Sequence, residues 1–89
     1  MAKLAITLTP ALTRLFPGCP HRLELEAATV SELLDVLNAR WPGMRDRLAD
    51  SIPRVRPHVN IFVDGERSSL ETRLKPGASV VIITAISGG

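Results

Sequence analysis

Hydrophobic and polar positions alternate with two different periods along this chain, and the changes of period mark its elements. Leu4, Ile6 and Leu8 alternate with Ala5, Thr7 and Thr9. That is the period of two expected of a half-buried strand, whose successive side chains leave opposite faces of the pleat. Phe16-Pro17-Gly18-Cys19-Pro20 cannot continue a strand and predicts a turn. From His21 to Ala27 the alternation resumes, with Leu23, Leu25 and Ala27 inward and Arg22, Glu24 and Glu26 outward. Two such strands in succession predict a hairpin with a long connection.

The period then changes to that of a helix. Val30, Leu33, Leu34, Leu37 and Trp41 fall at i, i+3, i+4, i+7 and i+11 and form one apolar stripe. Thr29-Val30-Ser31-Glu32 has the spacing of a capping box, in which the hydroxyl and the carboxylate satisfy orphan amides at the helix start. Pro42-Gly43 stops the helix, and Met44 and Leu48, four apart, predict one more short turn of helix. Asp50 to Pro57 carries two prolines and is expected to be loop.

Val59, Ile61 and Val63 alternate with Asn60 and Phe62, a third strand ending at the hairpin pair Asp64-Gly65. Glu66 to Ser69 is expected as a short return strand, and Leu70 to Leu74 as a helical turn closed by Lys75-Pro76-Gly77. Ser79 to Ile86 is apolar on both alternating sets, as a central strand is. The order strand, strand, helix, strand, short strand, strand predicts an α+β domain: a mixed sheet of about four to five strands with one main helix packed on one face.

Composition narrows the classes. Eighty-nine residues make one domain, and 45% apolar content excludes disorder as the default. The longest aliphatic run, Val80 to Ile83, is far short of the ~18 residues a membrane helix needs, and Thr7, Thr9 and Pro10 interrupt any signal-peptide core after Lys3. The net charge of +2 is small, five arginines lie between Arg40 and Arg56, and there is one Trp, two Phe and no Tyr. Nucleic-acid binding calls for a larger excess and more stacking partners, so neither nucleic acid nor membrane is expected as a partner. The single Cys19 has no internal partner, which suits a reducing, cytoplasmic setting.

After the last strand come Ser87, Gly88 and Gly89. At a glycine frequency of about 7%, two terminal glycines arise by chance in roughly one chain in 200. A strand running into Gly-Gly places a carboxylate on a narrow stalk without side chains, which suits activation by another protein. With this tail, the segments His58-Val59-Asn60-Ile61-Phe62-Val63-Asp64-Gly65-Glu66 and Leu74-Lys75-Pro76-Gly77-Ala78-Ser79-Val80 resemble the MoaD/ThiS family of sulfur-carrier proteins over essentially the whole chain. The length and the segment Trp41 to Pro57 look closer to the MoaD side, and Thr84-Ala85-Ile86 departs from the proline many relatives carry there.

The resemblance implies a ubiquitin-like β-grasp domain over 1–86 and a flexible tail over 87–89. It implies that an E1-like, ATP-dependent adenylyltransferase activates the Gly89 carboxylate, with Gly88 as support. A sulfur donor then forms a thiocarboxylate, and a downstream enzyme accepts the sulfur. The chain would be a co-substrate rather than an enzyme, with no stably bound cofactor and ATP used by the partner. Two other classes share parts of this pattern: a ubiquitin-like modifier joined to lysine through Gly89, and a β-grasp binding module whose glycines are incidental.

Other candidate chemistry is thin. Cys19 sits far in sequence from the tail and reads as a bystander thiol. Cys19, His21 and His58 match no structural zinc spacing and lack a fourth ligand, so no metal is expected. Phase gives the docking surface. Val80 and Ile82 belong to the core with Leu4, Ile6, Leu23, Val59, Ile61, Leu33 and Leu37. Val81, Ile83 and Phe62 then fall on the opposite, uncovered face as partner-binding residues.

Overall fold

The computed structural model describes residues 3–49 and 58–84. The loop expected over 50–57, the end of the last expected strand and the Gly88-Gly89 tail lie outside the described residues. Among the described residues eight elements follow in order: β1 (Leu4–Leu8), α1 (Pro10–Thr13), β2 (Arg22–Leu25), α2 (Val30–Arg40), α3 (Met44–Leu48), β3 (Val59–Val63), β4 (Glu66–Arg67) and β5 (Ser79–Thr84). The strands form one mixed sheet in the order β2-β1-β5-β3-β4. β5 is central, parallel to β1 and antiparallel to β3, as its apolar residues on both phases require.

One face of the sheet carries the core. Leu4, Ile6, Leu8, Val59, Ile61, Val80 and Ile82 are buried, and they meet Val30, Leu33, Leu34 and Leu37 of α2, each with no exposed surface. Met44 and Leu48 of α3 are equally buried. Leu23, on β2 at the sheet's edge, is only half-buried against this core.

Side chains fix the helix ends. Thr29 Oγ1 accepts from the Glu32 amide at 3.2 Å, but among the described residues the Glu32 carboxylate takes no return bond, so only half of the expected capping box forms. Thr29 also lies in a bridge with Arg73. Trp41 is the C-cap of α2, its amide bonded to Leu37 O at 2.8 Å. Asn38, on α2, serves α3: its Oδ1 accepts from the Gly43 and Arg45 amides at 3.0 and 3.1 Å. Arg45 reaches back to α2, donating to Ser31 O at 2.8 Å and pairing with Asp35 at 3.2 Å.

Three local expectations differ from the structure. The connection after β1 contains α1, with Pro10 in the first turn, and buries Leu12 and Phe16. β4 is two residues long rather than four, although the Ser68 amide and hydroxyl still donate to Ile61 O. Residues 70–74 are not helical. After a turn, Thr72 to Leu74 runs antiparallel to Ala28 to Val30, with Val30 N to Thr72 O at 3.0 Å and Leu74 N to Ala28 O at 2.8 Å. The Asp64-Gly65 turn is as expected, with both residues at positive φ, 51° and 86°.

Candidate functional site

On the face of the sheet opposite α2, the register places the expected docking residues together. Phe62 of β3 pairs with Val81 of β5, and Asn60 with Ile83 one step toward the end of β5. Ile83 is 37% exposed, while Phe62 and Val81 are half-buried. Their alternation with Ile61, Val80 and Ile82, all buried, fixes the phase: each strand sends one set to the core and the other to this face.

The same register extends across all five strands. Val81 pairs with Thr7 on β1, Thr7 with Arg22 on β2, and Phe62 with Arg67 on β4. One row therefore reads Arg22, Thr7, Val81, Phe62, Arg67: an apolar centre with an arginine at each edge. Arg67 donates to Asn60 Oδ1 at 2.6 Å and so lies along the face beside Phe62. Arg45 pairs with Asp35 away from this face, and Arg22 and Arg67 are both exposed at its edges.

Sequence reasoning missed what holds the end of β5. Thr9, the residue before α1, donates its amide to Ile82 O at 3.3 Å and accepts from the Thr84 amide through Oγ1 at 3.5 Å. This ties the last described residue of the strand to the start of α1. Leu15, just past α1, is 50% exposed and adds a second apolar group on that segment. The available signal was Thr9-Pro10: proline is well placed in a first helical turn, and a preceding threonine is a common N-cap. Gly88 and Gly89, the residues expected to carry the chemistry, lie outside the described residues.

Cys19 is half-buried, its thiol directed at Pro20 O at 3.6 Å. Burial pushes its pKa up from the ordinary thiol value of 9.0, which keeps it protonated and weakly nucleophilic at neutral pH. His21 Nδ1 lies 3.2 Å from Thr13 Oγ1. Among the described residues no three His, Cys, Asp or Glu side chains cluster as metal ligands, and no helix is long and apolar enough to cross a membrane.

Comparison with known proteins agrees with this architecture. A chain of the Amycolatopsis orientalis BexX/CysO complex superposes with a TM-score of 0.82 at 27% identity, covering 97% of this chain and 99% of that one. Mycobacterium tuberculosis CysO, described as an antigen, gives a TM-score of 0.81 at 26% identity over 93% of this chain and 99% of its own. SAMP1 from Haloferax volcanii, at 21% identity and a TM-score of 0.81, covers 99% of this chain and 100% of its own, and shares the fold. No curated protein sequence matches significantly. The model of the ThiS family matches residues 13–89. The chain belongs to the ThiS family and is a ubiquitin-fold member of the MoaD/ThiS-like sulfur carriers, which are small carrier proteins rather than catalysts.

Proposed function

We propose that this protein carries sulfur on the carboxylate of Gly89. An E1-like adenylyltransferase binds the domain and ATP. A Gly89 carboxylate oxygen attacks the α-phosphorus, pyrophosphate leaves, and the acyl-adenylate forms. Hydrosulfide from a sulfur donor then attacks the acyl carbon, the carbon–oxygen bond to AMP breaks, and the thiocarboxylate remains with AMP as leaving group. A downstream enzyme accepts this sulfur in cofactor biosynthesis of the molybdopterin type or in the making of a sulfur metabolite. The setting is the cytoplasm, where the single thiol stays reduced.

The observation that carries this function is the family match over 13–89, which runs along β5 and on through Gly88 and Gly89. The fold supplies the rest. β5 is central, so its direction is fixed on both sides by pairing with β1 and β3, and Thr9 ties down its end. The patch of Phe62, Val81 and Ile83 lies on the same strand and its neighbour, so a partner gripping it holds the domain beside the residues that lead to the tail. An apolar centre with a polar rim is how interfaces are built, and flanking arginines steer a partner bearing carboxylates. That one similar chain occurs in a two-protein complex supports a partner-dependent role.

The test is ATP–pyrophosphate exchange by the native activating enzyme. The full chain supports exchange, and a chain lacking Gly89 reduces it to background while melting at an unchanged temperature. Equal exchange by the shortened chain would overturn the assignment of the carboxylate. Lysine-linked conjugates with no thiocarboxylated free protein would move the chain to the modifier class.

A further inference from the structure

On one side the sheet ends in β2, and that edge is open. Leu8 N donates to His21 O at 2.7 Å, and in the same register Ile6 faces Leu23 and Leu4 faces Leu25. Bonded pairs in an antiparallel ladder recur at every second residue, so Leu23 and Leu25 turn their amides and carbonyls to β1. Those of Arg22 and Glu24 therefore point outward, and among the described residues they have no backbone partner. Both side chains are exposed, and neither is ion-paired among the described residues. β4, at the other edge, has two residues against the four of β2 and offers a shorter ladder.

Charges on an edge strand usually discourage pairing, and a strand bearing one sign repels its own copy. Here the signs are opposite and two residues apart, which makes the edge complementary to itself. A second β2 can pair antiparallel only where outward-pointing residues face outward-pointing residues. Registers centred on Arg22 or on Glu24 set that residue against its own copy, like charge on like, which is destabilising. The register centred on Leu23 sets Arg22 of each copy opposite Glu24 of the other. Each such pair exchanges both of its N–H···O bonds, and the two side chains lie side by side on the open face. Leu23, half-buried at the edge of the core, then meets Leu23 of the other copy at the closer, non-bonded spacing. Pro20, which has no amide, closes the ladder beyond His21.

We propose that two copies of this chain associate through β2, antiparallel about a twofold axis at Leu23, joining their two sheets into one. The axis stands perpendicular to the sheet, because both copies of Leu23 lie on the same face. Arg22 shares its row with Thr7 and Val81, so the two faces bearing Phe62, Val81 and Ile83 look in one direction. A single pair of short strands buries less than a standard interface, and the dimer forms weakly and in a concentration-dependent way. This association does not depend on the chemistry of Gly89, and its test involves no activation step.

Sedimentation velocity of the full chain, followed from micromolar to millimolar concentration, reads the association. Monomer at the low end and dimer at the high end are expected. The Arg22 and Glu24 amides should gain protection from hydrogen exchange as the dimer fills, since the monomer leaves them open. Arg22→Glu and Glu24→Arg, each at an exposed position, should weaken self-association by about tenfold or more, because both cross-strand pairs become repulsive. An equimolar mixture of the two single variants should form the dimer again, since each charge then meets its opposite, and so should the chain carrying both changes. A chain that stays monomeric at millimolar concentration would overturn the proposal and leave the edge to a strand of another protein. So would a dimer indifferent to these exchanges, or one whose concentration-dependent shifts fall on Phe62, Val81 and Ile83, which is association through the open face.

Discussion

At the scale of single residues, Ile83 divides the core from the open face of the sheet. Its neighbours Val80 and Ile82 have no exposed surface, while Ile83 is more than a third exposed opposite Asn60. Ile83→Asp should therefore change the unfolding free energy by about 1 kcal/mol or less, the span of strand preference at a surface position. It should weaken association with the activating enzyme by about tenfold or more, since an unpaired carboxylate is then desolvated in the interface. Urea denaturation and a binding titration on the same variant separate the two effects, and unfolding of the isolated domain would place Ile83 in the core. Cys19 makes a pH prediction. Its thiol pKa is raised by burial, so alkylation by iodoacetamide should be slow at pH 7 and accelerate only above the pH at which an ordinary thiol ionises. The sign for stability follows: the folded state holds the proton more tightly, so this contribution is present below the unfolded thiol's pKa and is lost as pH rises through the raised value. Fast alkylation at neutral pH would contradict the burial seen here.

At the scale of elements, α3 depends on a side chain from outside itself. Its N-cap is Gly43 at φ 97°, which offers no side-chain cap of its own, and Asn38 Oδ1 takes the Gly43 and Arg45 amides. Asn38→Ala should cost about 1 kcal/mol, as loss of a cap does, read as a lower urea midpoint with unchanged slope. No change would mean that α3 is held by the burial of Met44 and Leu48 alone. Elements with sustained periodicity were legible in the sequence: β1, β2, α2, β3 and β5 follow the alternations and the stripe, and Met44 and Leu48 mark α3. The elements that were not legible lack a period of their own. α1 is a single turn beginning at Pro10, which interrupts the strand pattern before any helical one can repeat. The extended pairing of 72–74 comes from a partner, 28–30, more than forty residues away in sequence, so no local signal marks it.

At the scale of the whole molecule, the two faces of the sheet differ: one is buried against α2, and the other bears Phe62, Val81 and Ile83. The apolar phase of β5 showed in the sequence that it is central, and the phase of Phe62, Val81 and Ile83 showed which face stays open. What no alternation could show was the row of residues joining Arg22 to Arg67 across five strands, because that row depends on strand order and register rather than on any one strand. The clamp of Thr9 on β5 was hidden for the same reason, being a contact across 75 residues of chain. Together these features fix the direction of β5 up to Thr84, which is what the proposed function asks of the domain. The measurement that tests this most directly is the intact mass of the protein isolated together with its native activating enzyme and sulfur donor, before and after ATP is supplied. The account predicts a mass gain equal to one oxygen-to-sulfur exchange, confined by fragmentation to Gly89. An unchanged mass under conditions where the enzyme consumes ATP, or sulfur located on Cys19 instead, would contradict it.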